Sequence, residues 1–147
     1  MPPADIRSDL KALTDEFFQA VSFESGQRPT YARIRDLFID DGKLIATSSA
    51  VPEISSVEVF IASRQSLADS GGLTSFEEVE TAEITEVFGN IAHRFSTYEK
   101  RGTMHREAIE GSGVISTQFI RTPSGWKMSS MAWDDERLGL AIPDRYK

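Results

Sequence analysis

Three acid or base side chains in this sequence have the type and spacing for proton-transfer chemistry. His93 is one of only two histidines, and it follows the pair Gly89-Asn90, while Glu86 precedes that pair. A histidine beside a carboxylate can act as a general base or acid near neutral pH. Asp134 is the third candidate, because a carboxyl group near an apolar pocket can have a raised pKa. The plainer alternatives are an exposed cross-strand pair for Glu86 and His93, and a turn or capping role for Asp134.

The composition narrows the class of protein that could use such residues. The 147 residues are 39% hydrophobic and 27% charged, so we expect residues 1–147 to form a single globular domain. The net charge of −7 argues against nucleic-acid binding, which normally needs a basic surface. We expect no membrane span and no secretory signal, and the absence of cysteine is consistent with a cytoplasmic location.

The sequence carries no motif for a metal or a cofactor. His93 and His105 lie outside any CxxC or HExxH pattern, and neither a glycine-rich phosphate loop nor a GxSxG motif is present. We therefore expect no metal and no cofactor.

The secondary-structure elements that must position the three candidate residues are predicted to be mainly helices in the first half of the chain and mainly strands in the second. Apolar residues at helical spacing predict a first helix ending at Ser25-Gly26, and a short helix follows Pro29-Thr30. "KLIATSS" predicts a strand, and Ser55 with Glu58 predicts the capping box of a third helix. The strands predicted after it cover residues 76–88, 91–101, 104–121 and 126–134. Helices followed by a long antiparallel meander indicate an α+β fold, and the last dozen residues should form a packed tail.

The Gly89-Asn90 pair predicts a type II′ hairpin turn, which fixes a strand register. In that register the residues that share one face are Phe88 with Ile91, Glu86 with His93, Ile84 with Phe95, and Ala82 with Thr97. This face is the more aromatic one, so we assign it to the side that the helices cover. The opposite face would bring Glu83 close enough to Arg94 for a salt bridge.

A second hairpin, turning at residues 122–125, would pair Phe119 with Met128 and Gly113 with Asp134. That register sends Met131 and Trp133 to the opposite face, away from the helices. Because aromatic residues and methionine are enriched at interfaces, we expect these two residues in a homodimer interface formed through the sheet.

The segments "FGNIAHRFSTYE" and "FIRTPSGWKMSSMAWDDE" resemble the nuclear-transport-factor-2-like superfamily, in its SnoaL-like (polyketide cyclase-like) branch. The resemblance covers about residues 4–136. It implies a curved antiparallel sheet wrapped as a cone around three N-terminal helices, open at one end into a pocket, and a homodimer formed through the sheet. The superfamily contains isomerases, dehydratases, cyclases and non-catalytic binding modules, so the fold alone does not define an activity.

The primary hypothesis is a protein that binds a small hydrophobic molecule inside the cone. The residues expected to line the pocket are Phe17, Tyr31, Phe60, Phe95, Phe119, Trp126 and Met128. One alternative is an acid–base isomerase, dehydratase or cyclase using His93, Glu86 and Asp134. The other alternative is a non-catalytic dimeric interaction module whose cone is filled by side chains.

Overall fold

The computed structural model describes residues 4–147. Its helical elements are α1 (Ala4–Val21), a 3₁₀ helix (Tyr31–Leu37), α2 (Val57–Asp69) and a C-terminal 3₁₀ helix (Asp144–Tyr146). Its strands are β1 (Phe38–Ala46), β2 (Glu53–Ser56), β3 (Leu73–Phe88), β4 (Ile91–Met104), β5 (Glu107–Thr122) and β6 (Gly125–Asp135). The predicted α+β class is confirmed.

The helices form where the apolar spacing predicts them, but α1 ends at Val21 rather than at the predicted Ser25-Gly26, and the start of α2 is also shifted. The N-cap of α2 is Ser56, whose Oγ accepts a hydrogen bond from the backbone N–H of Val59 at 3.1 Å. The capping box predicted at Ser55 is therefore one residue too early, because the helix begins at Val57 and Ser56 is the residue directly before it. Within residues 4–147, no helix is long and apolar enough to cross a membrane.

The six strands form one sheet in the order β2-β1-β6-β5-β4-β3. Neighbouring strands are antiparallel except β1 and β6, which run parallel, so the sheet is mixed rather than wholly antiparallel. The sheet curves without closing, and α1, the first 3₁₀ helix and α2 pack on one of its faces. We call this helix-covered face the inner face and the opposite one the outer face.

The β3–β4 hairpin has the predicted register near its turn. Gly89 adopts a φ of 57°, and Glu86 lies opposite His93. Further from the turn, Thr81 is an extra residue, because Glu80 pairs with Tyr98 but Ala82 pairs with Thr97. This β-bulge exchanges the faces of the strand, so that even-numbered residues point inward before it and outward after it.

The β5–β6 hairpin behaves in the same way. Its register is as predicted from the turn as far as Phe119 and Met128. Ser129 is then an extra residue, and Gly113 pairs with Asp135 instead of the predicted Asp134. Every residue of β6 beyond this bulge therefore lies on the face opposite to the predicted one.

The hydrophobic core fills the space between the helices and most of the inner face. It contains Leu10 and Ile34 from the helical side and Phe119, Met128 and Met131 from the sheet, all at most 2% exposed. The outer face is only partly covered. The C-terminal tail crosses it, where the Tyr146 ring packs 5.0 Å from the Phe95 ring and the Thr97 hydroxyl donates to the Tyr146 carbonyl.

Candidate functional site

A cavity of about 240 Å³ lies at one end of the inner face, between the sheet and the helices. Its wall is divided almost evenly between apolar and polar side chains, and the apolar ones are Phe17, Val21, Ala46, Phe60, Phe76, Met104, Ile109, Ile115 and Trp133. Phe60 and Trp133 meet edge to face, with ring centroids 6.0 Å apart. The ionisable groups that reach the same space are Glu53, Arg64, Glu78, Tyr98, Lys100 and Asp135.

Glu78 is the cavity's carboxyl group with the most perturbed environment. The Thr81 bulge turns it inward, opposite Lys100 on β4. Its side chain makes no hydrogen bond to any residue within 4–147. Burial raises the pKa of Glu78 to about 7, although Lys100 and Arg64 favour its charged form. Glu78 can therefore gain and lose a proton near neutral pH.

Tyr98, Asp135 and Lys100 form a paired network beside Glu78. The Tyr98 hydroxyl donates to Asp135 Oδ1, and Lys100 Nζ lies 2.8 Å from Asp135 Oδ2. Burial, followed by the hydrogen bond to Asp135, raises the pKa of Tyr98 well above its usual range. Tyr98 therefore remains a neutral hydrogen-bond donor at physiological pH.

Gly113 makes room for this network. A Cβ at Gly113 would overlap both the Tyr98 hydroxyl and the carbonyl oxygen of Asp134. The structure shows that Gly113 lets the Tyr98 ring cross its neighbouring strand.

Glu86 and His93 are paired as predicted but lie on the wrong face for the cavity. His93 Nε2 and Glu86 Oε1 are 2.7 Å apart, and the two side chains are 54% and 71% exposed. They line an open groove of about 600 Å³ on the outer face, beside Phe88 and Ile91. The assignment of this face to the helix-covered side was wrong, because apolar content alone does not identify the buried face.

Asp134 also points away from the cavity. It pairs with Val114 on the outer face, and Arg137 Nη1 lies 2.5 Å from Asp134 Oδ1. The hydrogen bond from Arg137 holds the pKa of Asp134 below its usual range. The expectation that Asp134 faces the mouth of the cone was wrong, and the bulge at Ser129 brings Asp135 there instead.

The residues predicted to line the pocket are divided among three places. Phe17 and Phe60 line the cavity. The residues that fill the solid core, outside the cavity wall, are Tyr31, Phe119, Trp126 and Met128. Phe95 lies on the outer face under Tyr146, because it shares the face of His93. In the core, the Tyr31 hydroxyl and Trp126 Nε1 have no hydrogen-bond partner in the described part of the chain.

The two residues predicted for a subunit interface are on the inner face. Met131 is 2% exposed in the core, and Trp133 lines the cavity. The interface prediction for these two residues was wrong, because the Ser129 bulge reverses the face on which both lie.

Arg94 is buried on the inner face rather than exposed on the outer one. It donates through Nε and Nη2 to both carboxylate oxygens of Glu80, at 2.9 and 2.6 Å. Ser96 Oγ also donates to Glu80, and Arg94 Nη1 lies 3.5 Å from Glu83 Oε2, as the predicted Glu83–Arg94 salt bridge requires. We call Arg94, Glu80, Glu83 and Ser96 the Arg94 cluster.

Sequence reasoning missed most of the cavity's ionisable groups. In the sequence, nothing distinguishes Glu78 from the other glutamates of β3, which are expected to be solvent-exposed. Nothing distinguishes Arg64 from the other polar residues of the third helix. The one signal in the sequence is that Glu78 and Lys100 lie on paired strands of one hairpin. They are directly opposite each other because of the Thr81 bulge, which the sequence does not reveal. In residues 4–147, no three histidine, aspartate or glutamate residues are grouped so as to hold a metal ion.

Known structures share this architecture at low sequence identity. A proposed aromatic ring hydroxylase from Novosphingobium aromaticivorans superposes with a TM-score of 0.75 and 16% identity, over 97% of this chain and 94% of that one. A proposed dehydratase of the NTF2-like family from Streptomyces avermitilis gives a TM-score of 0.69 and 15% identity, over 91% and 98%. An NTF2-like protein with a cystatin-like fold, also from N. aromaticivorans, gives 0.65 and 12%, over 89% and 82%.

No family model and no curated protein sequence matches the chain. The fold is nevertheless defined by these structural neighbours. The chain has the nuclear-transport-factor-2-like, or cystatin-like, fold, as the sequence predicts.

Proposed function

We propose that this protein binds a small, largely apolar molecule in the cavity between α1, α2 and the inner face. The observation that carries the proposal is the cavity itself: about 240 Å³ of space lined by aromatic and aliphatic side chains on one part of its wall and by six ionisable residues on the rest. Binding sites for small molecules usually combine an apolar lining with a small number of polar groups. A cone filled by side chains, as a purely structural interaction module would have, lacks such a space.

The size of the cavity limits the ligand. An apolar cavity of about 150 Å³ is enough to hold a benzene molecule. The 240 Å³ available here therefore suits a single ring, or a chain of similar bulk, with a short polar substituent. The edge-to-face pair of Phe60 and Trp133 offers a surface for such a ring.

Acid–base catalysis on the bound molecule is a second candidate function, and Glu78 is the observation that favours it. A carboxyl group with a pKa near 7 is matched to proton transfer at neutral pH. The Tyr98 hydroxyl beside it donates its proton to Asp135, so it can accept a hydrogen bond from the bound molecule. These groups suit an isomerase, dehydratase or cyclase of the SnoaL-like kind, with Glu78 in the role that sequence reasoning gave to His93.

A homodimer formed through the outer face is the partner that we propose. One row of outer-face positions crosses all six strands, and its members are Ile54, Ile45, Ala132, Ser116, Phe95 and Ile84, of which Phe95 is covered by Tyr146 of the C-terminal tail. Phe88 and Ile91 extend this surface and are 83% and 51% exposed. A mostly apolar surface of this kind can pack against its own copy about a twofold axis. The dimer would work in the cytoplasm, which the lack of cysteine also fits.

Filling the cavity tests the binding proposal. Ala46 lines the cavity, so Ala46→Phe should occupy it, whereas Ala62→Phe on the exposed side of α2 is the matched control. We expect fluorinated single-ring compounds, screened by fluorine NMR, to bind the unaltered protein and the control but not Ala46→Phe. Binding that persists in a folded Ala46→Phe protein would place the ligand elsewhere and overturn the proposal.

A further inference from the structure

Arg64 is the cavity cation with the least satisfied side chain. It lies on α2, is half-buried, and its guanidinium carbon lies 4.9 Å from the centre of the Phe60 ring. This stacking holds the guanidinium against the aromatic wall that Phe60 forms with Trp133. The charged group therefore has a fixed place beside the apolar space.

Arg64 has no anionic partner among residues 4–147. It makes no hydrogen bond and no ion pair there, whereas the other cavity cation, Lys100, is paired with Asp135 at 2.8 Å. A guanidinium carries five N–H donors in a planar fork that matches a carboxylate. A half-buried guanidinium with these donors unused has capacity for an anion from outside the chain.

The carboxyl groups around the cavity do not supply that anion. Asp135 is occupied by Tyr98 and Lys100. Glu78 interacts with Arg64 only at a distance, and its burial leaves much of its population protonated at neutral pH. Glu53 also lines the cavity, but its side chain is exposed to solvent, where charge is screened.

We infer that the molecule bound in the cavity is a small carboxylate, with its anionic group on the Arg64 guanidinium and its apolar part against Phe60 and Trp133. This inference rests on the proposed binding function and adds the chemical class of the ligand. A protonated Glu78 facing the same space can donate a hydrogen bond to such an anion, whereas an ionised one would repel it.

A pair of ligands of nearly equal shape tests the inference. We would measure the dissociation constants of para-fluorophenylacetate and para-fluorophenylacetamide by fluorine NMR near neutral pH. The unaltered protein should bind the carboxylate at least tenfold more tightly than the amide, because a hydrogen bond to a charged group contributes more than one to a neutral group.

Variants at Arg64 test whether this residue causes the preference for the carboxylate over the amide. Arg64→Gln should lower the affinity for the carboxylate at least tenfold and leave the affinity for the amide unchanged. Arg64→Lys, which keeps the charge but loses the fork, should fall between the two. Arg33→Gln is the matched control, because Arg33 is exposed and its ion pair within residues 4–147 is with Glu16, away from the cavity, and this variant should bind both ligands normally.

The outcomes separate this inference from the function on which it rests. Equal binding of the acid and the amide, both abolished by Ala46→Phe, would overturn the carboxylate assignment and keep the cavity as the site. Binding of the acid that Arg64→Gln does not weaken would also overturn it. Failure of both ligands and of the wider fluorinated set to bind would overturn the proposed function together with the inference.

Discussion

Two groups of buried charge occupy the inner face of the same sheet, and they are built in opposite ways. In the Arg94 cluster, the guanidinium meets both oxygens of Glu80 and also Glu83 and Thr85. In the cavity, Glu78 and Arg64 face the same space, and neither side chain has a hydrogen bond within the described residues. The charged groups of the Arg94 cluster are paired with one another, whereas Glu78 and Arg64 are not hydrogen-bonded to other described residues.

The difference indicates which region serves structure and which serves function. A buried ion pair with complete partners stabilises one geometry and has nothing left to offer a ligand. Ionisable groups without partners beside an apolar space have perturbed pKa values and open donors, which are typical of sites that bind or react. The sequence predicts the Glu83–Arg94 contact of the first region, but it does not predict that Glu78 and Arg64 meet in the second.

Removing Arg94 should have the largest effect on stability. Arg94→Ala removes the charged partner of the buried Glu80 carboxylate and leaves it the hydrogen bond from Ser96, so we expect the free energy of unfolding in urea to fall by about 3–5 kcal/mol. Arg33→Ala, at an exposed ion pair, should lower it by less than about 1 kcal/mol. A similar small loss for both variants would contradict the structural role of the Arg94 cluster.

Replacing Glu78 should have a smaller effect that depends on pH. The folded state raises the pKa of Glu78 from 4.5 to about 7, so the folded protein keeps this proton after the unfolded chain has released it. Its contribution to stability is therefore greatest below the unfolded pKa and is lost as pH rises toward about 7. Glu78→Gln should be the more stable protein near pH 8, by roughly 1–3 kcal/mol, and should approach the unaltered protein near pH 4.5.

The control for this prediction is Glu77→Gln, on the neighbouring exposed position paired with Arg101. Urea unfolding of all three proteins at both pH values makes the comparison. A stability difference between Glu78→Gln and the unaltered protein that stays constant with pH would show that Glu78 ionises normally.

A methyl group at Gly113 should strain the paired side of the cavity. Gly113→Ala brings its Cβ into the Tyr98 hydroxyl and a strand carbonyl, so we expect a loss of about 2 kcal/mol in the free energy of unfolding. Gly111→Ala is the matched control, since its Cβ would meet only the flexible end of Lys100. Equal losses in the two variants would mean that Tyr98 does not depend on the space at Gly113.

The smallest effect is expected on the outer face. His93 and Glu86 form an exposed pair, so His93→Ala should change the free energy of unfolding by less than about 1 kcal/mol. It should also leave ligand binding in the cavity unchanged, as measured by fluorine NMR. A loss of ligand binding in the His93→Ala variant would contradict this assignment and favour the Glu86–His93 pair as part of the functional site.

The fold and the local pairing could be predicted from the sequence because they rest on short-range signals. The apolar stripe of α1 and the Gly89-Asn90 turn are local, and the turn correctly places Glu86 opposite His93. The parallel pairing of β1 with β6 was not predicted, because no local signal joins strands so far apart in the chain.

The candidate site could not be predicted, because two single residues reverse the strands that build it. The extra residues at Thr81 and Ser129 turn Glu78 and Asp135 inward and Asp134 outward. A bulge changes the direction of every residue beyond it but leaves no clear mark in composition. The face assignment of the first hairpin was wrong for a different reason, since Arg94 is buried with partners while Phe88 is exposed.

The titration of the Glu78 carboxyl group tests most directly whether this group is buried in the cavity without a paired cation. Carbon NMR of protein labelled at glutamate carboxyls, with Glu78→Gln to assign the signal, would give its pKa. Burial in a space without a paired cation predicts a pKa near 7, rising further in Arg64→Gln because Arg64 favours the charged form. A pKa near 4.5 that Arg64→Gln leaves unchanged would contradict this view of the cavity as the functional site.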